Sequence, residues 1–260
     1  MLSLAEITTN YAENLRRFPR FILREYLQHK ILQVIFDSEY ANQLVFLGGT
    51  CLRIVHGNRR FSEDLDFDNF QMGEDAFEKV AVHVKNRLEL EGYVIEMRTV
   101  YRGAYHCYIR FPELLFKEGL SGFSEEKILI QLDTEPQHFL FTPEKYILNR
   151  FDVFTQILTT PADILLSQKF YAILNRVRNK GRDFYDVVFL LSRVDLPNYD
   201  YLKLKTGIEN AKELKIQVLK RCELLDMKEM AKDVQPFLFD ADDAKKVALF
   251  AAYIKQVNLK

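Results

Sequence analysis

Cysteine is scarce in this chain: Cys51, Cys107 and Cys222 are odd in number, scattered, and without histidines at metal-ligand spacing. That excludes a disulfide framework and a zinc site, and leaves buried reduced thiols. Long apolar runs are also lacking. The longest, such as "DVVFLL", fall far short of the roughly 20 residues that span a bilayer, so no membrane partner is expected. The opening "MLSLAEITTNYAENLRRFPRF" does not follow the basic-then-apolar order of a signal peptide, which makes a cytoplasmic location the expectation. An excess of either charge is missing too: 36 basic against 37 acidic residues give a net charge of -1, which argues against a protein basic all over. A local patch is still present in "KFYAILNRVRNKGRD", where Lys169, Arg176, Arg178, Lys180 and Arg182 face the single acid Asp183.

With 260 residues, 48% of them hydrophobic, the chain can bury a sizeable core as one large domain or two smaller ones. Residues 4–38 have helical periodicity, broken at Pro19. "QLVFL" reads as a buried strand ending at Gly48-Gly49, after which Thr50 caps a short helix, "CLRIVHG". "DLDFD" reads as a second strand, with Leu65 and Phe67 on one face and Asp64, Asp66 and Asp68 on the other. Residues 74–91 suit a helix, while "YVIEMRTV", "AYHCYIRF" and "KILIQLDTEP" suit strands. From about residue 160 the pattern is helical: Thr160 is the expected cap and Gly181 the expected stop of one helix, and "RDFYDVVFLLSR", 207–230 and 241–258 supply others. There is no internal repeat or low-complexity tract. The expected class is α+β, with an N-terminal α+β domain over 1–158 and a helical domain over 159–260 packed against it.

Three aspartates at alternate positions need a compensating cation. Asp64 and Asp66, on one strand face, form a carboxylate pair of the kind that magnesium uses to bridge protein to substrate phosphates. Asp133, ending "KILIQLD", is the expected third carboxylate. With it, two metals could activate an attacking oxygen and neutralise a leaving pyrophosphate. The Gly48-Gly49-Thr50 turn aims backbone N–H groups at a phosphate, and Ser62 shares the aspartate face within reach of a terminal phosphate. Neither the P-loop pattern nor the dinucleotide fingerprint is present. Solvated surface for the acids, and a plain helix cap for Thr50, are the alternatives. Asp68, one pleat further from the glycines, is expected to be peripheral.

"GGTCLRIVHGNRRFSEDLDFD" resembles the signature of the AbiEii/AbiGii-type nucleotidyltransferase toxins of the DNA polymerase beta-like superfamily, through Gly48, Gly49, Thr50, Leu52, Arg53, Arg60, Ser62, Asp64, Leu65, Asp66 and Phe67. A second match joins Asp163, Lys169 and the "RDFYD" residues Arg182, Asp183 and Asp186. The resemblance implies a mixed sheet flanked by helices and transfer of a nucleoside monophosphate from an NTP with Mg2+ or Mn2+. It also implies the role of toxin in a toxin–antitoxin or abortive-infection system, beside a cognate antitoxin, with the 3′ end of tRNA as acceptor. Asp64, Asp66, Lys169 and Asp186 are then the catalytic residues. Arg53, Arg182 and Asp183 join Gly48, Gly49, Thr50 and Ser62 at the nucleotide, and Arg176, Arg178 and Lys180 contact RNA. Lys169 and Arg176, seven apart, would share a helix face, with Lys169 stabilising triphosphate charge. A small-molecule or protein acceptor, or a non-catalytic nucleotide-binding module, is the competing expectation.

Overall fold

A computed structural model describes residues 1–259. Helices α1 (Leu4–Thr8) and α2 (Pro19–Phe36) lead into β1 (Leu44–Leu47), α3 (Gly48–Ile54), β2 (Leu65–Asn69) and α4 (Glu74–Leu90). A hairpin, β3 (Glu96–Arg102) with β4 (Ala104–Phe111), is followed by α5 (Leu114–Lys117), β5 (Ile128–Glu135) and a second hairpin, β6 (Glu144–Arg150) with β7 (Val153–Thr159). Helices α6 (Ala162–Asn175), α7 (Gly181–Leu190), α8 (Tyr199–Thr206), α9 (Ala211–Glu223), α10 (Met227–Val234), α11 (Lys245–Ala248) and α12 (Phe250–Gln256) complete the chain. The residues divide into two compact units: 1–56, 61–138 and 142–159 in one, and 57–60, 139–141 and 160–260 in the other.

The first unit is built on a seven-stranded mixed sheet in the order β3-β4-β5-β2-β1-β7-β6. The parallel pairs are β2 with β5 and β1 with β7, and all others are antiparallel. Helix α2 packs on β7 and β5, and α4 on β3 and β4. The alternation of β4 explains which face they cover: Cys107, Ile109 and Phe111 are buried, while His106, Tyr108 and Arg110 stand half-exposed opposite them. Helix α2 is buried on nearly every side, including Ile22, Tyr26, Leu27, Ile31 and Ile35, so its apolar residues do not confine themselves to one stripe.

The second unit is helical, with Leu165, Phe170, Phe184, Leu214, Val218 and Phe250 in its core. Gly181 opens α7; it is not the stop of α6, which ends at Asn175 with Arg176 in an extended conformation. The reason is packing. A Cβ at Gly181 would overlap the Met230 carbonyl of α10, and the Gly181 N–H donates to Asp233 Oδ2 at 2.8 Å. Gly181→Ala is therefore expected to destabilise this unit by about 1–3 kcal/mol through overpacking, read as a lower urea midpoint. Other boundaries also move. The helix expected over 207–230 is two, because Asp226 caps α10 through the N–H groups of Lys228 and Glu229. Pro161, not Thr160, occupies the cap position of α6.

Candidate active site

The first strand stops and α3 begins without a linking residue, which Gly48 permits by adopting φ +79°. Thr50, expected as the cap, lies inside α3, and its hydroxyl donates to the Asp64 carbonyl. Asp64 immediately precedes β2 instead of belonging to it. Its approach is held from both sides: Gln28 of α2 donates to the carbonyls of Ser62 (3.1 Å) and Glu63 (2.9 Å), and Thr50 to that of Asp64. Three successive carbonyls are thus engaged, which fixes where the Ser62 and Asp64 side chains leave the backbone.

Strand pairing does the rest. Asp66 lies opposite Leu47 on β1 and opposite Asp133 on β5, and Asp133 lies opposite His106 on β4. Side chains in register project to the same face, so the carboxylates of Asp66 and Asp133 share one surface although they are far apart in the chain. The Asp133 carboxylate accepts from Gln131 Nε2 at 2.8 and 2.9 Å and lies 2.7 Å from His106 Nδ1. A Cβ at Gly48 would overlap the Asp66 carboxylate, so the glycine turn and the acid are in van der Waals contact. Gly48→Ala is expected to cost about 1–2 kcal/mol from the left-handed backbone alone and to displace Asp66. Thermal melting and nucleotide transfer should both fall. Asp68, on the same strand face, is 1% exposed and accepts from the Gln137 N–H at 2.9 Å, so it is buried and engaged by the backbone.

Among the described residues no three acidic, imidazole or thiol side chains converge into a ready-made metal cage. The donor set nevertheless suits a hard divalent ion. Magnesium keeps several waters and takes one or two protein carboxylates together with substrate phosphates. Asp66 and Asp133, in register, supply two such oxygens, and Asp64 precedes them.

Arg53, expected at the nucleotide, is turned into the first unit instead. Its Nε and Nη2 donate to Glu25 at 2.7 and 3.1 Å, and Glu25, 2% exposed, also accepts from Arg150 (3.0 Å) and Tyr11 (2.8 Å). Burial would raise the Glu25 carboxyl, but Arg53 and Arg150 outweigh it and hold it below its ordinary range.

In the second unit, Lys169 of α6 meets the α7 acids, with Nζ 3.1 Å from Asp183 Oδ1 and 2.9 Å from Asp186 Oδ2. Arg60, an element of the expected signature without an assigned role, is 1% exposed here and donates to Asp186 at 2.7 and 2.6 Å; Asn58 adds a bond of 2.8 Å. Burial would push the Asp186 carboxyl up, yet Arg60 and Lys169 hold it down at about 2. Burial likewise works against the charge on Lys169, and Asp186 and Asp183 raise it above its ordinary value. Two of the three ammonium donors are thereby used. Arg182 lies over the Phe237 ring at 4.4 Å. Asp163 accepts from Asn198 Nδ2 at 2.9 Å, joining α6 to the start of α8.

Arg176, Arg178 and Lys180 lie on the loop between α6 and α7, not on a helix, so Arg176 and Lys169 do not share a continuous helix face. Arg176 pairs with Asp183 at 3.0 Å, whereas Arg178 and Lys180 are exposed. The loop is pinned by Asn179, which is 6% exposed, donates to the Ile173 carbonyl (2.7 Å) and accepts from Arg221 (3.0 and 2.7 Å). His106, Gln131, Gln28 and Glu25 were not expected at or behind the site. Only His106 left a trace in sequence, through its outward position in the alternation of "AYHCYIRF".

A mixed sheet whose first strand turns through two glycines toward in-register carboxylates is the architecture of a nucleotidyltransferase. The fold superposes on MenT4, a nucleotidyltransferase toxin from Mycobacterium tuberculosis, with a TM-score of 0.58 over 99% of this chain and 91% of that one at 16% identity. It also superposes on JHP933 from Helicobacter pylori, with a TM-score of 0.55 over 90% and 91% at 17% identity. The match to the family described as "Nucleotidyl transferase AbiEii toxin, Type IV TA system" runs over residues 30–255, and the chain belongs to that family. No curated protein matches the chain. The protein is therefore an enzyme, a nucleotidyltransferase toxin whose family implies a nucleotide substrate and an antitoxin partner. Among the described residues no helix is long and apolar enough to cross a membrane.

Proposed function

We infer that the protein transfers a nucleoside monophosphate from an NTP to RNA, with the 3′ end of tRNA as acceptor and Mg2+ or Mn2+ as cofactor. The observation that carries this reading is the register of Asp66 with Asp133 beside the Gly48 turn. Asp64, Asp66 and Asp133 would hold the ion, which when bound neutralises the leaving pyrophosphate and activates the attacking oxygen. Backbone N–H groups of Gly49 and Thr50 and the Ser62 hydroxyl bind phosphate oxygens. Arg53, through Glu25, steadies α3 behind the glycines. In the second motif Asp183 and Asp186 orient Lys169, whose remaining donor is kept for substrate charge, and Arg182 adjoins Asp183 in the chain. Arg178 and Lys180 hold RNA phosphates.

The test is incorporation of each labelled NTP into total RNA with magnesium, by wild type and by Asp64→Ala and Asp66→Ala. Label on RNA that disappears in both variants is the expected result. Absence of label from wild type with all four nucleotides would overturn the reading. The near-neutral net charge of -1 favours a second acceptor class, a protein or small molecule, and label on either with RNA untouched would select it. Arg178→Ala with Lys180→Ala is expected to weaken RNA binding and to lower its salt slope by about 0.7 for each single-strand phosphate no longer neutralised.

A further inference from the structure

The open face of the sheet continues outward from the carboxylates. One register row runs Asp66, Asp133, His106, Val100 across β2, β5, β4 and β3; the next, two residues along, runs Gln131, Tyr108, Arg98. Arg110 follows Tyr108 on β4, with its guanidinium 5.7 Å from the Tyr108 ring centroid, and Arg102 ends β3 on the same face. Arg98 and Arg102 are exposed, and Tyr108 and Arg110 half-exposed. None of the three arginines has a carboxylate partner among the described residues; Glu96, at the Arg98 and Arg110 end of the face, is paired with Lys127 at 2.7 Å, and the exposed Glu135 lies at the Arg102 end. Two cations beside one aromatic ring, Arg98 in register with Tyr108 and Arg110 next along β4, with Arg102 four residues further along the face, suit a partner with both phosphates and flat bases. An apolar protein surface would find only Val100 and Leu129 here.

We propose that the open face of β3, β4 and β5 is the platform for a single-stranded end of the acceptor RNA, with Tyr108 stacking a base and Arg98, Arg102 and Arg110 holding phosphates. The proposal rests on the RNA reading above and adds where the acceptor lies. Tyr108 sits one strand repeat, about 7 Å, along β4 from the row that contains Asp133 and Asp66, so a chain stacked on it ends near the carboxylates. Stacking on an exposed tyrosine needs an unpaired base, because bases in a duplex already stack on one another. Arginine suits the rim, since its planar fork binds phosphate in two places and also lies flat on rings.

The test is fluorescence anisotropy of the full chain, without NTP, with a short fluorescein-labelled single-stranded RNA of mixed sequence and with the same strand annealed to its complement. Wild type is expected to prefer the single strand. Tyr108→Ala should weaken it by roughly five- to 150-fold, and Tyr108→Phe should restore it. Replacing the three arginines by alanine should lower the slope of log affinity against log salt by about 2, near 0.7 for each phosphate. Variants that bind as wild type does, with an unchanged slope, would overturn the platform while RNA labelling by wild type left the reading above intact. An equal preference for duplex would also overturn it, as would loss of affinity for the antitoxin instead of RNA in these variants. Failure of wild type both to bind and to label RNA would remove the RNA reading and the platform together.

Discussion

Asp66→Asn is expected to lower nucleotide transfer by on the order of 10³-fold or more in kcat/KM while leaving the fold intact. A metal ion contributes several kcal/mol to neutralising charge in the transition state, and each 1.36 kcal/mol is about tenfold in rate. Asp66 is the carboxylate in contact with the glycine turn and in register with Asp133, so under the function proposed above its loss would remove a ligand of the ion beside the phosphate. Stability should move the other way. Without a cation, two like charges opposed across β2 and β5 repel, and neutralising one should hold or raise the melting temperature. Melting curves recorded beside the transfer assay separate this outcome from simple unfolding. An Asp66→Asn protein with wild-type transfer would sink the assignment.

Asp186→Ala is the second large effect, and it acts on stability. The substitution leaves Arg60, Lys169 and Arg176 around Asp183 alone, with Arg60 and Lys169 removed from water. Breaking a buried ion pair by deleting one partner costs about 3–5 kcal/mol. Chemical denaturation of wild type and variant measures it, and a loss below about 1 kcal/mol would contradict the burial described here. The same carboxyl sets a pH dependence. Its pKa is about 2 in the folded protein against an ordinary 3.8, a depression worth about 2 kcal/mol. That contribution is complete above about pH 4 and is lost as pH falls toward 2. Stability measured across that window should decline in wild type and decline less in Asp186→Asn.

Much of this architecture can be read from local pattern, and its failures have identifiable causes. Helix α4, the β3–β4 hairpin and β5 follow the periodicity of their residues. The hairpin of β6 and β7 was not expected, although β7 is an interior strand beside β1. Its two-residue turn is Phe151-Asp152, with Phe151 at φ +59° where glycine or asparagine is the usual signal. Contacts distant in sequence hold that conformation: Phe151 packs against Tyr11, Tyr26 and His29, and Arg150 lies over its ring at 4.9 Å. Gly181, expected as the stop of α6, misleads for a similar reason, since the glycine is required by α10 and not by the end of α6. The carboxylate pair illustrates the limit of spacing arguments. Alternation puts Asp66 on a face, but only the register of β2 with β5 brings Asp133 beside it. No local pattern reports that Arg53 turns toward Glu25, or that Arg60 rather than Arg59 is buried.

The pairing of β2 with β5 also has a consequence in time. These parallel neighbours are separated in the chain by α4, the β3–β4 hairpin and α5, so they can dock only after those elements have been made and placed. Non-local parallel pairing is slow compared with forming a helix or a hairpin. During synthesis, Asp64 and Asp66 leave the ribosome well before Asp133, and until β5 takes its place they are two acids on an unfinished edge. The carboxylate pair is therefore a late property of each new molecule, absent until the last of the intervening elements is in place.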